Sequence, residues 1–134
     1  MVDLLESFNY SKHSKPKKLI VMLHGYGDNA KNFLYLYQPL DKIDWGAYYL
    51  ALNAPEFIPN YPMGHQWFDL YPNGIYIADA GSEEKKIITE SVSSSLKKIE
   101  ITIKFHLKKL QLTTKDCIVL GFSQGGMMTF EFGN

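Results

Sequence analysis

The chain has 134 residues, 46% hydrophobic and 14% aromatic, and its 14 basic residues are balanced by 14 acidic ones to a formal charge of zero. That length supports one hydrophobic core, so residues 1–134 are read as a single domain. The charge balance offers nothing to a polyanionic partner such as nucleic acid and suits a small-molecule or acyl substrate better.

The chain opens with a polar leader that ends in Lys15, Pro16, Lys17 and Lys18 and also carries Lys12, and because the rest of the chain is balanced this stretch is read as a solvated entry loop in preference to a basic patch. It has no basic start followed by a long apolar stretch, and no segment approaches the roughly 18 apolar residues that span a bilayer. The single cysteine, Cys117, cannot form an internal disulfide and lies in an apolar run. A buried structural thiol in a reducing, cytoplasmic compartment is expected.

Residues 19–23, LIVML, form a continuous apolar run of strand length, which predicts a strand buried on both faces. Residues 24–29, HGYGDN, break it with two glycines, and residues 29–37 read as a short helix ended by Pro39. A second strand is predicted over 47–52, AYYLAL, running into Asn53, Ala54 and Pro55. From there to Tyr76 the four prolines Pro55, Pro59, Pro62 and Pro72 stand among aromatics, and a long packed loop without regular structure is expected.

The clearest helix begins near Ser82, capped there and favoured by Glu83 and Glu84 in its first turn. Ile88, Val92, Leu96, Ile99, Ile103, Leu107 and Leu110 recur at steps of three and four and trace one apolar face, with Lys97, Lys98, Lys104 and Lys108 opposite. Residues 113–116 turn the chain into the apolar run 117–120, CIVL, and residues 121–126, GFSQGG, follow. The remaining residues give barely two helical turns. The alternation of strands and helices predicts an α/β fold with a mostly parallel sheet and flanking helices.

Residues 121–125 match G-x-S-x-G in the context that gives the pattern meaning, after a buried strand and before a helix. A serine hydroxyl becomes a useful nucleophile only when it is held clear of the backbone beside a base and oxyanion donors. A tight strand-to-helix turn at Ser123 supplies the exposure. Gly121 and Gly125 allow strand and helix to approach, Gly126 adds a third glycine, and the helix starting at Gln124 aims free N–H groups at the reacting oxygen. A second donor should come from a loop after a neighbouring strand, and residues 24–28 stand there. Gly25 and Gly27 let that backbone approach a ligand, and the Tyr26 N–H would pair with that of Gln124.

Four motifs in order, VMLHGYGD at 21–28, NAP at 53–55, WFDL at 67–70 and GFSQGG at 121–126, resemble the phospholipase/carboxylesterase family of α/β-hydrolases, which includes acyl-protein thioesterases. The resemblance covers nearly the whole chain. It implies a serine esterase or thioesterase that cleaves carboxylic esters, lysophospholipids or acyl-cysteine thioesters through an acyl-serine intermediate, without a cofactor. Ser123 carries over as nucleophile, and Tyr26 and Gln124 as backbone oxyanion donors. Trp67 and Phe68, with Asp69, would lie beside the mouth of the site, although a large aromatic pair in a Pro-rich loop equally suits core filling.

That family places its acid and histidine after the nucleophile, whereas residues 124–134 contain neither Asp nor His. The expectation is therefore an incomplete α/β-hydrolase domain, truncated after the elbow, with impaired catalysis. Its last strand would be a bare edge, open to a C-terminal half or to self-association. A non-catalytic hydrolase-like binding module, or one half of a split enzyme, are the alternatives. Of the histidines, His24 is read as structural, His106 as a partly exposed helix residue, and His13 as without a role. A substitute triad of His65 with Asp69 or Asp79 is disfavoured by the fold. The four histidines show no paired metal-ligand spacing.

Overall fold

The structure is a computed structural model that describes residues 3–133. Met1 and Val2, read as the start of the leader, and Asn134, read as the last residue of the terminal helix, lie outside the described residues. Inside the leader, Ser7, Phe8, Asn9 and Tyr10 alternate polar and aromatic side chains and form a strand, β1 (Ser7–Tyr10), where an irregular entry loop was expected. Phe8 and Tyr10 pack on the sheet, and that burial fixes the strand. The first apolar run forms β2 (Lys18–Leu23), whose residues 19–23 are fully buried.

After β2, Asn29 caps α1 (Ala30–Leu34) by accepting the Asn32 N–H at 2.9 Å. The single helix expected over 29–37 is broken at Tyr35 and Leu36, and a second turn follows as α2 (Tyr37–Leu40). Pro39 lies inside α2 instead of stopping it, because a first-turn residue has no intrahelical acceptor to lose. The second predicted strand is β3 (Ala47–Leu52).

The segment expected to lack regular structure contains a hairpin, β4 (Glu56–Ile58) and β5 (Tyr61–Gln66). Pro59 and Asn60 make its turn, with Asn60 in the left-handed region at φ 65°, which asparagine tolerates. Pro62 is compatible because in a two-stranded ribbon each strand has an unpaired side.

The long helix is α3 (Ser82–Leu110), and all seven predicted apolar positions join one core cluster. Its cap is Gly81, whose N–H is accepted by the Glu84 carboxylate at 2.9 Å, so Ser82 is the first helical residue and not the cap. Burying one such face residue, Ile99 at 0% exposure, contributes about 1.5–3 kcal/mol. His106 is buried against this core and not partly exposed, its ring edge-on to Phe105 with centroids 5.2 Å apart. The chain then forms β6 (Cys117–Gly121) and α4 (Gln124–Gly133).

The four-stranded sheet has the order β1-β3-β2-β6, with β2 parallel to both neighbours and β1 antiparallel to β3. Alternation along β2 sends Leu19, Val21 and Leu23 to the α3 and α4 side, and Ile20 and Met22 to the α1 and α2 side. The result is an α/β-hydrolase-type sheet between helical layers. Among the described residues β6 pairs only with β2, and Ile118 is 41% exposed, as expected for the strand before the elbow. Leu23 pairs with both Leu52 and Gly121, so β2, β3 and β6 all end on one side of the molecule. The loops that follow them meet there.

Candidate active site

Ser123 sits at the turn between β6 and α4, solvent-exposed, with φ at 55° in the left-handed region. Three main-chain bonds hold it there. Phe122 N–H donates to the Leu23 carbonyl at 3.2 Å, Gly125 N–H to the Phe122 carbonyl at 2.9 Å, and Met127 N–H to the Ser123 carbonyl at 3.0 Å. A non-glycine residue held left-handed stores strain, and such strain concentrates at functional sites.

The elbow glycines are unequal. A Cβ at Gly125 would run into the carbonyls of Leu23 and His24, and one at Gly121 into the Gly125 carbonyl and, at 2.6 Å, Thr129 Oγ1. At Gly126 the nearest atom would be 3.5 Å away, an ordinary contact, so this third glycine is not sterically required.

The loop after β2 lies directly against the elbow. A Cβ on Gly25 would sit 3.4 Å from Ser123 Cβ and 3.3 Å from the Phe122 carbonyl oxygen. Gly27, at φ 84°, donates its N–H to the His65 carbonyl at 3.0 Å, and His65 N–H donates to the Asp28 carbonyl at 2.9 Å. The loop is thus pinned to β5 immediately after Tyr26. Neither the Tyr26 N–H nor the Gln124 N–H meets an acceptor among the described residues. The Gln124 amide opens a ten-residue helix, whose positive end faces the same turn.

His24 is fully buried and accounted for at both ring nitrogens. Nδ1–H donates to the Gly25 carbonyl at 2.7 Å, and Nε2 accepts the Ala54 N–H at 3.0 Å. Burial is the leading reason its pKa falls below the usual histidine range, so the neutral ring bridges the ends of β2 and β3. Asn53 extends this brace, since Oδ1 accepts the Ala30 N–H at 2.7 Å and Nδ2 donates to Glu6 Oε1 at 2.6 Å.

Trp67, read either as beside the mouth or as core filling, is fully buried, which matches the core reading. Its main-chain N–H donates to Gln124 Oε1 at 2.7 Å, its indole N–H to the His24 carbonyl at 2.8 Å, and its carbonyl accepts Ser95 Oγ–H at 2.6 Å. A ring this size with its one donor satisfied is a pillar under the site. Phe68, 5% exposed, accepts Gln124 Nε2–H at its carbonyl at 2.9 Å and forms part of the wall of an apolar cleft of about 440 Å³ between α3 and α4, with Val92, Met127 and Met128.

His65 does not line up with Ser123 and an aspartate. Its Nδ1–H donates to the Ala54 carbonyl at 2.9 Å, its ring lies on Phe57 at 4.6 Å, and it opens on a cavity of about 230 Å³ with Glu6, Asn53 and Lys98. Asp69 accepts the Tyr71 N–H. His13 bonds Asp44 at 2.8 Å, at the other end of the sheet. Cys117 is half-buried instead of buried, with its thiol pushed up by burial.

Sequence reading missed the supporting polar residues, although one signal was available. Ser95 stands seven residues after Ile88 and four before Ile99, on the apolar face of α3, where a hydroxyl must find a buried partner. Gln66 carried no such signal, yet it is buried with Oε1 unpartnered among the described residues. No group of three or more His, Cys, Asp or Glu among the described residues could hold a metal ion, and none of their helices is long and apolar enough to cross a membrane.

The phospholipase/carboxylesterase family model matches residues 7–133. Among solved structures, that of esterase PE8 superposes with a TM-score of 0.80 at 23% identity over 98% of this chain. That of a phospholipase/carboxylesterase from Dyadobacter fermentans DSM 18053 gives 0.63 at 20% identity over 96%. At such identities the likeness speaks for the fold. The chain spans 58% and 52% of those two chains, little more than half their length. Because the family match runs from the first strand to the last helix and not over one short motif, the chain belongs to the phospholipase/carboxylesterase family.

Proposed function

We propose that the chain carries the nucleophile half of a serine carboxylesterase or acyl-thioesterase site. The observation that carries this reading is Ser123, exposed and left-handed at the β6–α4 turn with Gly25 packed against it. Ser123 Oγ attacks an acyl carbonyl and loses its proton to a base, the tetrahedral oxyanion collapses with loss of alkoxide or thiolate, and water then releases the acid from the acyl-serine. Tyr26 and Gln124 supply the oxyanion N–H donors, a role supported by their lack of any other acceptor among the described residues.

The base and acid come from outside these residues. His24 has both nitrogens committed and His65 faces another cavity, which supports a base from a further segment. That segment adds a strand beside β6, whose outer side is unpaired among the described residues and whose Ile118 is exposed. The substrates are esters, thioesters or lysophospholipids, with no nucleic acid, and the half-buried free Cys117 suits a reducing, cytoplasmic setting.

Serine-dependent labelling by a fluorophosphonate is the test, run with Ser123→Ala as the control. Labelling that appears or rises when a segment carrying the family's later strands is supplied supports a divided site. No labelling under either condition removes the hydrolase reading. A second reading, an acyl-binding module without turnover, is favoured by the apolar cleft between α3 and α4. It predicts saturable fatty-acid binding that Ser123→Ala leaves unchanged.

A further inference from the structure

A zero net charge hides a strong separation of charge along the sheet. Because β2, β3 and β6 run parallel, their starts lie together, at the end opposite Ser123. Three connections meet there, residues 11–17, 41–46 and 111–116, and α3 ends beside them. Lys15 joins two hollows, one walled by Lys17 and Trp45, the other by Lys109 and Leu112.

The acids of this end are already engaged. Asp41 pairs with Lys12 at 3.4 Å, Asp44 with His13 at 2.8 Å, and Asp116 with Lys18 at 4.0 Å. Lys15, Lys17, Lys42, Lys108 and Lys109 have no carboxylate partner among the described residues, Lys115 acts on Asp116 without forming a close ion pair, and all six are exposed. Lys108 and Lys109 also meet the negative end of the α3 dipole. The opposite end carries Asp28, Glu56, Asp69, Asp79, Glu83 and Glu84 against Lys31, Lys85 and Lys86. Among the basal lysines Ile43 projects at 78% exposure, and beside it Trp45, 37% exposed, presents one edge of its ring while its indole N–H donates inward to Tyr49 Oη at 2.8 Å.

The geometry points to this basal face as a docking surface for an anionic lipid bilayer, with Ile43 and Trp45 entering the headgroup layer and the lysines facing the phosphates. Two features favour a bilayer over a nucleic acid. The chain contains no arginine, and apart from His13 the basic side chains at this end are lysines, point charges suited to a diffuse anionic plane, where base recognition relies on the arginine fork. An exposed aliphatic residue beside a partly exposed indole edge fits the bilayer interface. Docked in this way, the molecule turns its acidic end and Ser123 toward water. The inference does not depend on Ser123 being reactive.

The chain contains its own reporter, since of its two tryptophans Trp67 is fully buried and Trp45 is not. Tryptophan emission is followed as the 134-residue chain is titrated with mixed phosphatidylcholine–phosphatidylserine vesicles, with pure phosphatidylcholine vesicles, and with a single-stranded oligonucleotide. The expected result is a blue shift with the anionic vesicles alone, reversed by high salt and absent in Trp45→Phe. The triple change Lys15→Gln, Lys17→Gln and Lys109→Gln should lower vesicle partition about a hundredfold. Lys85→Gln with Lys86→Gln, near the start of α3 at the opposite end, should leave it unchanged. Equal binding to neutral vesicles would assign adhesion to exposed apolar surface elsewhere, and a response to the oligonucleotide alone would assign the face to nucleic acid. Either result overturns the proposal, as does unaltered binding by the triple variant with an unchanged melting curve.

Discussion

Gln124 Oε1 accepts the Trp67 main-chain N–H at 2.7 Å, so the residue after the nucleophile is tied to the aromatic loop through its side chain. The same amide donates to the Phe68 carbonyl at 2.9 Å. One buried side chain therefore joins the start of α4 to the loop before α3, leaving the Gln124 main-chain N–H to face the turn.

Gln124→Leu keeps the volume but leaves the Trp67 N–H and the Phe68 carbonyl buried without partners. With about 1–3 kcal/mol for each orphaned group, the variant should lose roughly 2–6 kcal/mol. Urea unfolding followed by far-ultraviolet circular dichroism measures this, and a loss under about 1 kcal/mol would show that the bonds are easily replaced by water.

Gly125→Ala and Gly126→Ala separate steric need from motif membership. The first places a methyl group onto the Leu23 carbonyl and should cost about 3 kcal/mol or more, because strand and helix must part. The second meets nothing closer than 3.5 Å within a helix, and should gain about 0.5–1 kcal/mol. Comparable losses in both variants would mean that the helix approaches the strand more closely at Gly126 than described.

The pH dependence follows from two buried histidines. Burial is the main cause of the lowered pKa of both His24 and His106, with the Lys109 charge adding to the effect at His106. A histidine whose folded pKa lies below the unfolded value of 6.5 binds fewer protons folded than unfolded in the window between them. Its contribution to stability is complete above the unfolded value and is lost as pH falls toward the folded one. Urea midpoints should therefore drop between neutral pH and about pH 5, before most carboxylates titrate. His106→Leu removes one of the two groups and should flatten that drop, whereas an unchanged slope would leave His24 as its source.

How much was legible depended on whether a segment's fate was decided by its own periodicity. The apolar run of β2 and the stripe from Ile88 to Leu110 can be satisfied in few ways, and both appear where the pattern put them. β1 was missed because Lys12, Lys15, Lys17 and Lys18 dominate the leader's composition, while pairing with β3 and burial of Phe8 and Tyr10 are tertiary facts. The hairpin was missed because the prolines were read as breakers, yet Pro59 starts its turn. At the β6–α4 turn, the left-handed Ser123 and the close approach at Gly121 and Gly125 follow from local turn chemistry, whereas Gly126 has room for a side chain. For Trp67 two readings stood open, the mouth of the site and core filling, because the pattern shows an aromatic near a motif and not which way the ring points, and its full burial matches the second.

Ser123→Gly tests the strain at the turn directly. At φ 55° a side chain costs about 1–2 kcal/mol relative to glycine, partly offset by the larger entropy of glycine in the unfolded chain. Ser123→Ala keeps the Cβ and with it the strain, so the glycine variant should be more stable than the alanine variant by about 1 kcal/mol. Both lack the hydroxyl and should be equally unlabelled by a fluorophosphonate. If alanine and glycine prove equally stable, the left-handed turn is relaxed in solution and the hydroxyl is not being held at the cost of stability. The difference between the variants thus reports on presentation of the nucleophile without requiring turnover, which makes it measurable in a chain that covers little more than half of its structural neighbours.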